Sequence, residues 1–111
     1  MATVDVTAVN AHNALVAALA LAMYRPLRKV GGGAVDPLIL SASAAVTTAK
    51  NATNAATQNP SNSQAVAFQY RRLNMLQAHM LYPLGVRRRR AMRSMRKAAM
   101  LLATIHTANT P

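Results

Sequence analysis

Apolar residues recur at helical spacing along most of the chain, and the interruptions between them divide it into four predicted helices. In the first, Thr7 to Lys29, a stripe of Val9, Val16, Leu19, Met23 and Leu27 repeats at intervals of three, four and seven. Alanines fill most positions between, so nearly the whole circumference is small and apolar, and such a helix is covered on more than one side. Thr7 or Asp5 is placed to cap its start, and Arg25, Arg28 and Lys29 crowd its end, where cations suit the helix dipole. Pro26 kinks or terminates it. The longest apolar run, Ala14 to Met23, falls short of the roughly 20 residues that cross a bilayer. No basic leader segment of a secretion signal precedes that run. A buried helix is the expectation there.

Gly31-Gly32-Gly33 is the clearest break, and reads as a hinge because three glycines leave φ unrestricted. The Lys-Ser/Thr pair of a phosphate loop does not follow it. Asp36-Pro37 then opens a second helix, with Asp as N-cap and Pro in the first turn, running to about Thr57. After Leu38, Ile39 and Leu40 its side chains are mostly Ala, Ser, Thr and Asn, with one charge, Lys50. Such a face suits close approach to a phosphate backbone, or else belongs to an ordinary surface helix of weak formers. Asn51-Ala52-Thr53 matches the glycosylation sequon, with no other sign of secretion.

A turn at Asn59-Pro60-Ser61-Asn62-Ser63 leads into a third helix, Ser63 to Leu81, with Val66, Tyr70, Leu73, Leu76 and Met80 on one side and Arg71 and Arg72 pointing away. Pro83 and Gly85 then separate a fourth helix, about Val86 to Thr107, or bend one long helix. On the fourth helix the wheel separates two faces. Arg89, Arg90, Arg93, Arg96 and Lys97 share an arc of roughly 120°, and Ala91, Met92, Met95, Ala99 and Leu102 share the opposite one. Arg87 and Arg88 fall outside that pattern and are expected to reach phosphates beyond it. The apolar segment Ala98 to Ile105 is expected to be buried against another subunit. The whole forms one domain, residues 1–111, with a loose arm at 1–6. The fold class is all-α, with four or so helices in helix-turn-helix pairs.

Charge changes the picture more than hydropathy does. The formal net charge is +11, with 13 Lys and Arg against two carboxylates, Asp5 and Asp36. A chain so charged repels itself and is stabilised by a polyanionic partner. Its apolar fraction is dominated by Ala, and Phe68 is the only Phe, so little area is removed from water per residue. Part of the stability is therefore expected from ligand or neighbouring subunits. The candidate nucleic-acid-binding residues are Lys50, Arg71, Arg72, Arg87, Arg88, Arg89, Arg90, Arg93, Arg96 and Lys97. Ten of the 13 cations are Arg, whose planar fork grips phosphate with two parallel hydrogen bonds.

Other chemistry is not in evidence. The chain has no Cys, its carboxylates stand apart, and no motif surrounds His12, His79 or His106. These histidines read as capped or core-edge residues, the seven Met as adaptable packing, and neither enzyme activity, nor a metal, nor a cofactor is expected. Base-reading motifs are missing and aromatic platforms are few. A sequence-independent grip on a duplex backbone follows.

The segment Ser41-Ala-Ser-Ala-Ala-Val-Thr-Thr-Ala-Lys-Asn-Ala-Thr-Asn-Ala-Ala-Thr-Gln-Asn-Pro60, the Arg-rich helix and the apolar tail ending Thr107-Ala-Asn-Thr-Pro111 together resemble the small major coat proteins of filamentous and rod-shaped archaeal viruses. The resemblance is one of composition and architecture. It implies a helical protomer that pairs with itself or with a paralogous partner into an intertwined dimer around double-stranded DNA, preferred over RNA and held in A-form. It further implies stacking into a helical nucleocapsid, with the Arg residues lining the DNA channel and a location in the virion. The rival is a small ribosomal protein, of an organellar or other ribosome, gripping rRNA and located in the ribosome. A third is a peripheral subunit binding anionic lipid through the basic helix.

Overall fold

In the computed structural model, which describes residues 5–27, 34–56, 62–82 and 85–108, the first helix starts at Val6 because Asp5 caps it. The Asp5 carboxylate accepts the Ala8 N–H at 3.1 Å, satisfying one donor of the open first turn. Of the arm expected at 1–6, Asp5 is the N-cap and Val6 the first residue of helix α1, Val6–Ala22, and residues 1–4 lie outside the described residues. The helix ends at Ala22 rather than Lys29. A proline at 26 clashes with the carbonyl four residues back and keeps Arg25 out of the helical region. The chain turns instead, with Met23 N–H on the Leu19 carbonyl and Arg25 N–H on that of Ala22.

The expected hinge at Gly31–Gly33 lies outside the described residues. On its far side Asp36 N–H meets the Leu27 carbonyl at 3.0 Å, so the two ends of that connection are tied together. Helix α2, Pro37–Ala55, begins as the Asp-Pro pair requires, with the Asp36 carboxylate accepting Leu38 N–H at 2.9 Å. Helix α3, Ser63–Gln77, tightens into a 3-10 turn, Ala78–Leu81, and Tyr82 is extended, the conformation favoured before a proline. Helix α4, Gly85–Ala108, is separate and has 24 residues, about 36 Å of rise.

α1 packs against both α2 and α4, and α3 packs on α4. The Ala-rich circumference of α1 is thus covered on two sides. α1 and α4 run antiparallel, since His12 meets His106 at one end and the Arg25 carbonyl meets Arg88 at the other. The buried positions alternate by threes and fours: Ala8, His12, Leu15, Leu19 and Ala22 on α1, then Ile39, Ala42, Val46, Ala49 and Thr53 on α2. On α4 the same alternation runs Arg88, Met92, Met95, Ala99, Leu102, His106. All four helices feed one core, whose many alanines let backbones approach closely. The stripe expected on α1 is therefore rotated: Leu19 and Met23 are buried, whereas Val9, Val16 and Leu27 are only partly so. On α3, Val66, Leu73 and Met80 are buried, with Tyr70 and Leu76 at the edge.

Two faces that the sequence leaves open are partly covered within the chain itself. Part of the polar face of α2, at Ser43, Thr47, Lys50 and Asn54, is turned to α3. Gln77 donates to the Ser43 carbonyl and the Thr47 hydroxyl, both at 3.0 Å, Lys50 donates to Asn74 and Gln77, and Asn54 donates to the Tyr70 hydroxyl. Amides, hydroxyls and the Lys50 ammonium answer one another across this helix pair. The α4 tail, expected to be buried by another subunit, is covered by its own chain on one side through Ala98, Ala99, Leu102 and Ala103, while Met100 and Leu101 stay about half exposed. The Cα trace measures 55 × 20 × 17 Å along its principal axes. Among the described residues no helix is long and apolar enough to cross a membrane.

Candidate nucleic-acid interface

The cationic arc of α4 is held outward by the packing of the opposite face. Met92, Met95, Ala99 and Leu102 are fully buried, and this fixes the rotation of the helix. Arg90, Arg93, Arg96 and Lys97 are exposed in consequence, with Arg87 beside them and Arg89 half-buried. None of the four exposed cations forms an ion pair among the described residues. The nearest acidic pairing is Asp36 with Arg25, at 2.9 Å, and that carboxylate is itself buried at the start of α2.

Arg93, Arg96 and Lys97 form one wall of an open groove of roughly 440 Å³, whose other wall is Ala20, Met23 and Tyr24 at the end of α1. Tyr24 is 70% exposed, an aromatic ring left in water beside three cations. It was not distinguishable in the sequence, since only the early end of α1 carries it round to α4. A second concavity is formed by Gly85, Val86, Arg87 and Arg90 at the start of α4. Gly85 makes room there: a Cβ would lie 2.8 Å from an Arg89 guanidinium nitrogen. The Arg87 guanidinium lies over the Tyr82 ring, 5.3 Å from its centroid, and His79 stacks against that ring at 4.5 Å.

Three of the sequence-chosen cations are engaged elsewhere. Arg88 is buried, and corrects the expectation that it reaches phosphate. It donates to the Tyr82 carbonyl at 3.1 Å and to the Arg25 carbonyl at 2.6 Å, with its Nε unpartnered. Burial first, then the neighbouring Arg89, disfavour its charged form, yet a guanidinium stays protonated in proteins. The wheel carries the signal for this: Arg88 lies four residues before Met92 and seven before Met95, inside the apolar stripe. Arg72 is half-buried and clips α3 to α4, donating to the Ser94 hydroxyl at 2.8 Å and to Gln69 at 2.9 Å. Lys50 spends its ammonium on Gln77 at 2.7 Å and Asn74 at 3.0 Å. Arg71 is exposed on α3.

The remaining polar cluster lies at the far end of the α1–α4 pair. His12 and His106 are fully buried with ring centroids 5.2 Å apart, and the Thr53 hydroxyl stands between their Nε2 atoms at 3.2 and 3.3 Å. These histidines are in the core rather than at its edge. Among the described residues no three His, Cys, Asp or Glu side chains gather as a metal site would need.

Comparison with known protein families, curated proteins and solved structures gives no match.

Proposed function

We propose that the chain is a structural nucleic-acid-binding protein that grips duplex DNA through its phosphates, without reading sequence, and polymerises along it as a helical virion coat. The single observation that carries this reading is the one-sign arc on α4. Arg87 to Lys97 span about 15 Å of helix rise, and over that length a duplex carries about nine phosphate charges. Six cations, Arg87, Arg89, Arg90, Arg93, Arg96 and Lys97, stand there with no carboxylate opposing them. Tyr24 and the adjoining groove would receive the sugar-phosphate edge. Exposed apolar residues on every helix, among them Leu21, Leu40, Phe68, Met75 and Leu101, support contact between copies of the chain or with a paralogous partner.

The test is duplex binding at increasing salt, followed by electron microscopy of the product. Six phosphate contacts give a slope of about −5 in log K against log salt. A slope near zero sinks the reading. Regular filaments containing DNA support the coat, and preference for folded RNA with no filament supports the ribosomal alternative.

A further inference from the structure

The His12–Thr53–His106 node joins three helices at one point. His12 comes from α1, Thr53 from the last turns of α2 and His106 from the last turn of α4. All three side chains are buried, with at most 2% exposure. His12 Nδ1 lies 2.7 Å from the Ala8 carbonyl, which only accepts, so Nδ1 carries a proton. In the neutral ring its Nε2 is then bare and accepts from the Thr53 hydroxyl. The Thr53 oxygen in turn accepts from His106 Nε2–H, which leaves His106 Nδ1 bare. That nitrogen is buried and has no partner. The neutral node is therefore satisfied in its donors. One more proton on His106 puts an N–H against nothing, and one more on each ring puts two cations side by side with 5.2 Å between ring centroids.

We propose that this node is a pH-operated latch, which fastens the last turns of α4 to α1 and α2 while both imidazoles are neutral and releases them when they take up protons. Few charges face it. From the α1 side, Asp5 is the carboxylate whose charge reaches His106 and favours its protonation. From α2, Lys50 is one turn before Thr53 but its ammonium is directed to α3. On α4 the nearest cation is Lys97, nine residues before His106 and exposed. α3 brings Arg71, which is exposed, and Arg72, which is held at Ser94.

The direction of response follows. Burial first lowers both histidines below the ordinary value of 6.5. For His12 the Ala8 carbonyl partly offsets this and His106 adds to it; for His106 the offset comes from Asp5. Well above 6.5 the rings are neutral whether the latch is closed or open, and it holds at full strength. Below 6.5 the open form binds protons that the closed form refuses, and the latch weakens until the pH has fallen through the lowered values of the closed form. Each histidine makes opening up to about tenfold more favourable per pH unit in that window, and the two together up to about a hundredfold. The Arg-bearing half of α4 contains no such node, so it should remain packed. The latch does not depend on what the arc binds.

The experiment is a pH titration of the full chain from 8 to 4.5, with His79→Gln so that the two buried rings are read alone. Imidazole resonances are followed by NMR and amide exchange by mass spectrometry. Both rings should protonate below the ordinary value and together, with faster exchange, corrected for intrinsic rate, at 8–16, 49–55 and 99–108 but not at 88–95. A second form carrying His12→Leu and His106→Leu should lose that pH dependence. Rings that titrate at the ordinary value without local exchange, acceleration spread evenly over all four helices, or an unchanged profile in the double variant would overturn the latch. If the double variant does not fold, the titration of the first form decides alone.

Discussion

Arg88 and Arg25 are joined across the molecule by a 2.6 Å hydrogen bond from the Arg88 guanidinium to the Arg25 carbonyl. The same guanidinium holds the Tyr82 carbonyl. One buried cation thus satisfies two main-chain acceptors left open where α1 turns and where the chain extends before Pro83. Arg88→Ala leaves both unpaired over a cavity and should destabilise the fold by about 2–5 kcal/mol, read by urea unfolding. The salt slope of duplex binding, measured where the variant is still folded, should not change. A loss of slope would return Arg88 to the phosphate-contacting set.

The arc residues should behave in the opposite way. Replacing Arg89, Arg90, Arg93 and Arg96 with Gln removes four of the six proposed contacts, and the slope should flatten from about −5 to about −2. Helix content by circular dichroism should hold, since the exposed members make no ion pair whose loss would matter. Filament assembly on DNA should fail. Assembly that survives would mean that the grip lies elsewhere.

Thr53 is the hydroxyl between two rings. Thr53→Val keeps the shape and removes the shared partner, leaving His12 Nε2 and His106 Nε2 without it. A loss of about 1–3 kcal/mol is expected by thermal unfolding at pH 7.5. Thr53→Ser, which keeps the oxygen, should recover most of it.

Asp36 has two tasks that separate by substitution. It caps α2 through Leu38 N–H and pairs with Arg25. Asp36→Asn keeps a good cap and gives up the charge, whereas Asp36→Ala gives up both. The Ala form should be less stable than the Asn form by about 1 kcal/mol in denaturant unfolding. Equal stabilities would show that the cap contributes nothing.

How far the sequence discloses this fold depends on how local the deciding force is. Asp36-Pro37 announces the start of α2 because capping is settled within four residues. Pro26 announces an end, but its ring acts on the carbonyl of Ala22, so the helix stops well before the last apolar residue. The α1 stripe is blurred because alanines lie all round it. Branched residues such as Val9 and Val16 then draw the eye, although the buried line runs through Ala8, His12 and Leu15. The pairing of His12 with His106 is a product of the antiparallel α1–α4 packing, and no spacing in the sequence encodes it. Arg88 was legible on the wheel. A charged residue in an apolar stripe is easily assigned to water when six more cations crowd around it. The all-α class and the outward arc of α4 were legible because both follow from the 3.6-residue period alone.

If the chain binds a duplex as proposed, its narrow cross-section bears on the stoichiometry. Eleven positive charges neutralise eleven phosphates, which a duplex presents over about 19 Å of its axis. The two short dimensions of the chain, between Cα atoms, are 20 and 17 Å. On the proposed reading, chains set side by side across a duplex would each neutralise most of the phosphates that they span. Laid lengthwise over 55 Å, each would leave most of its phosphates uncompensated.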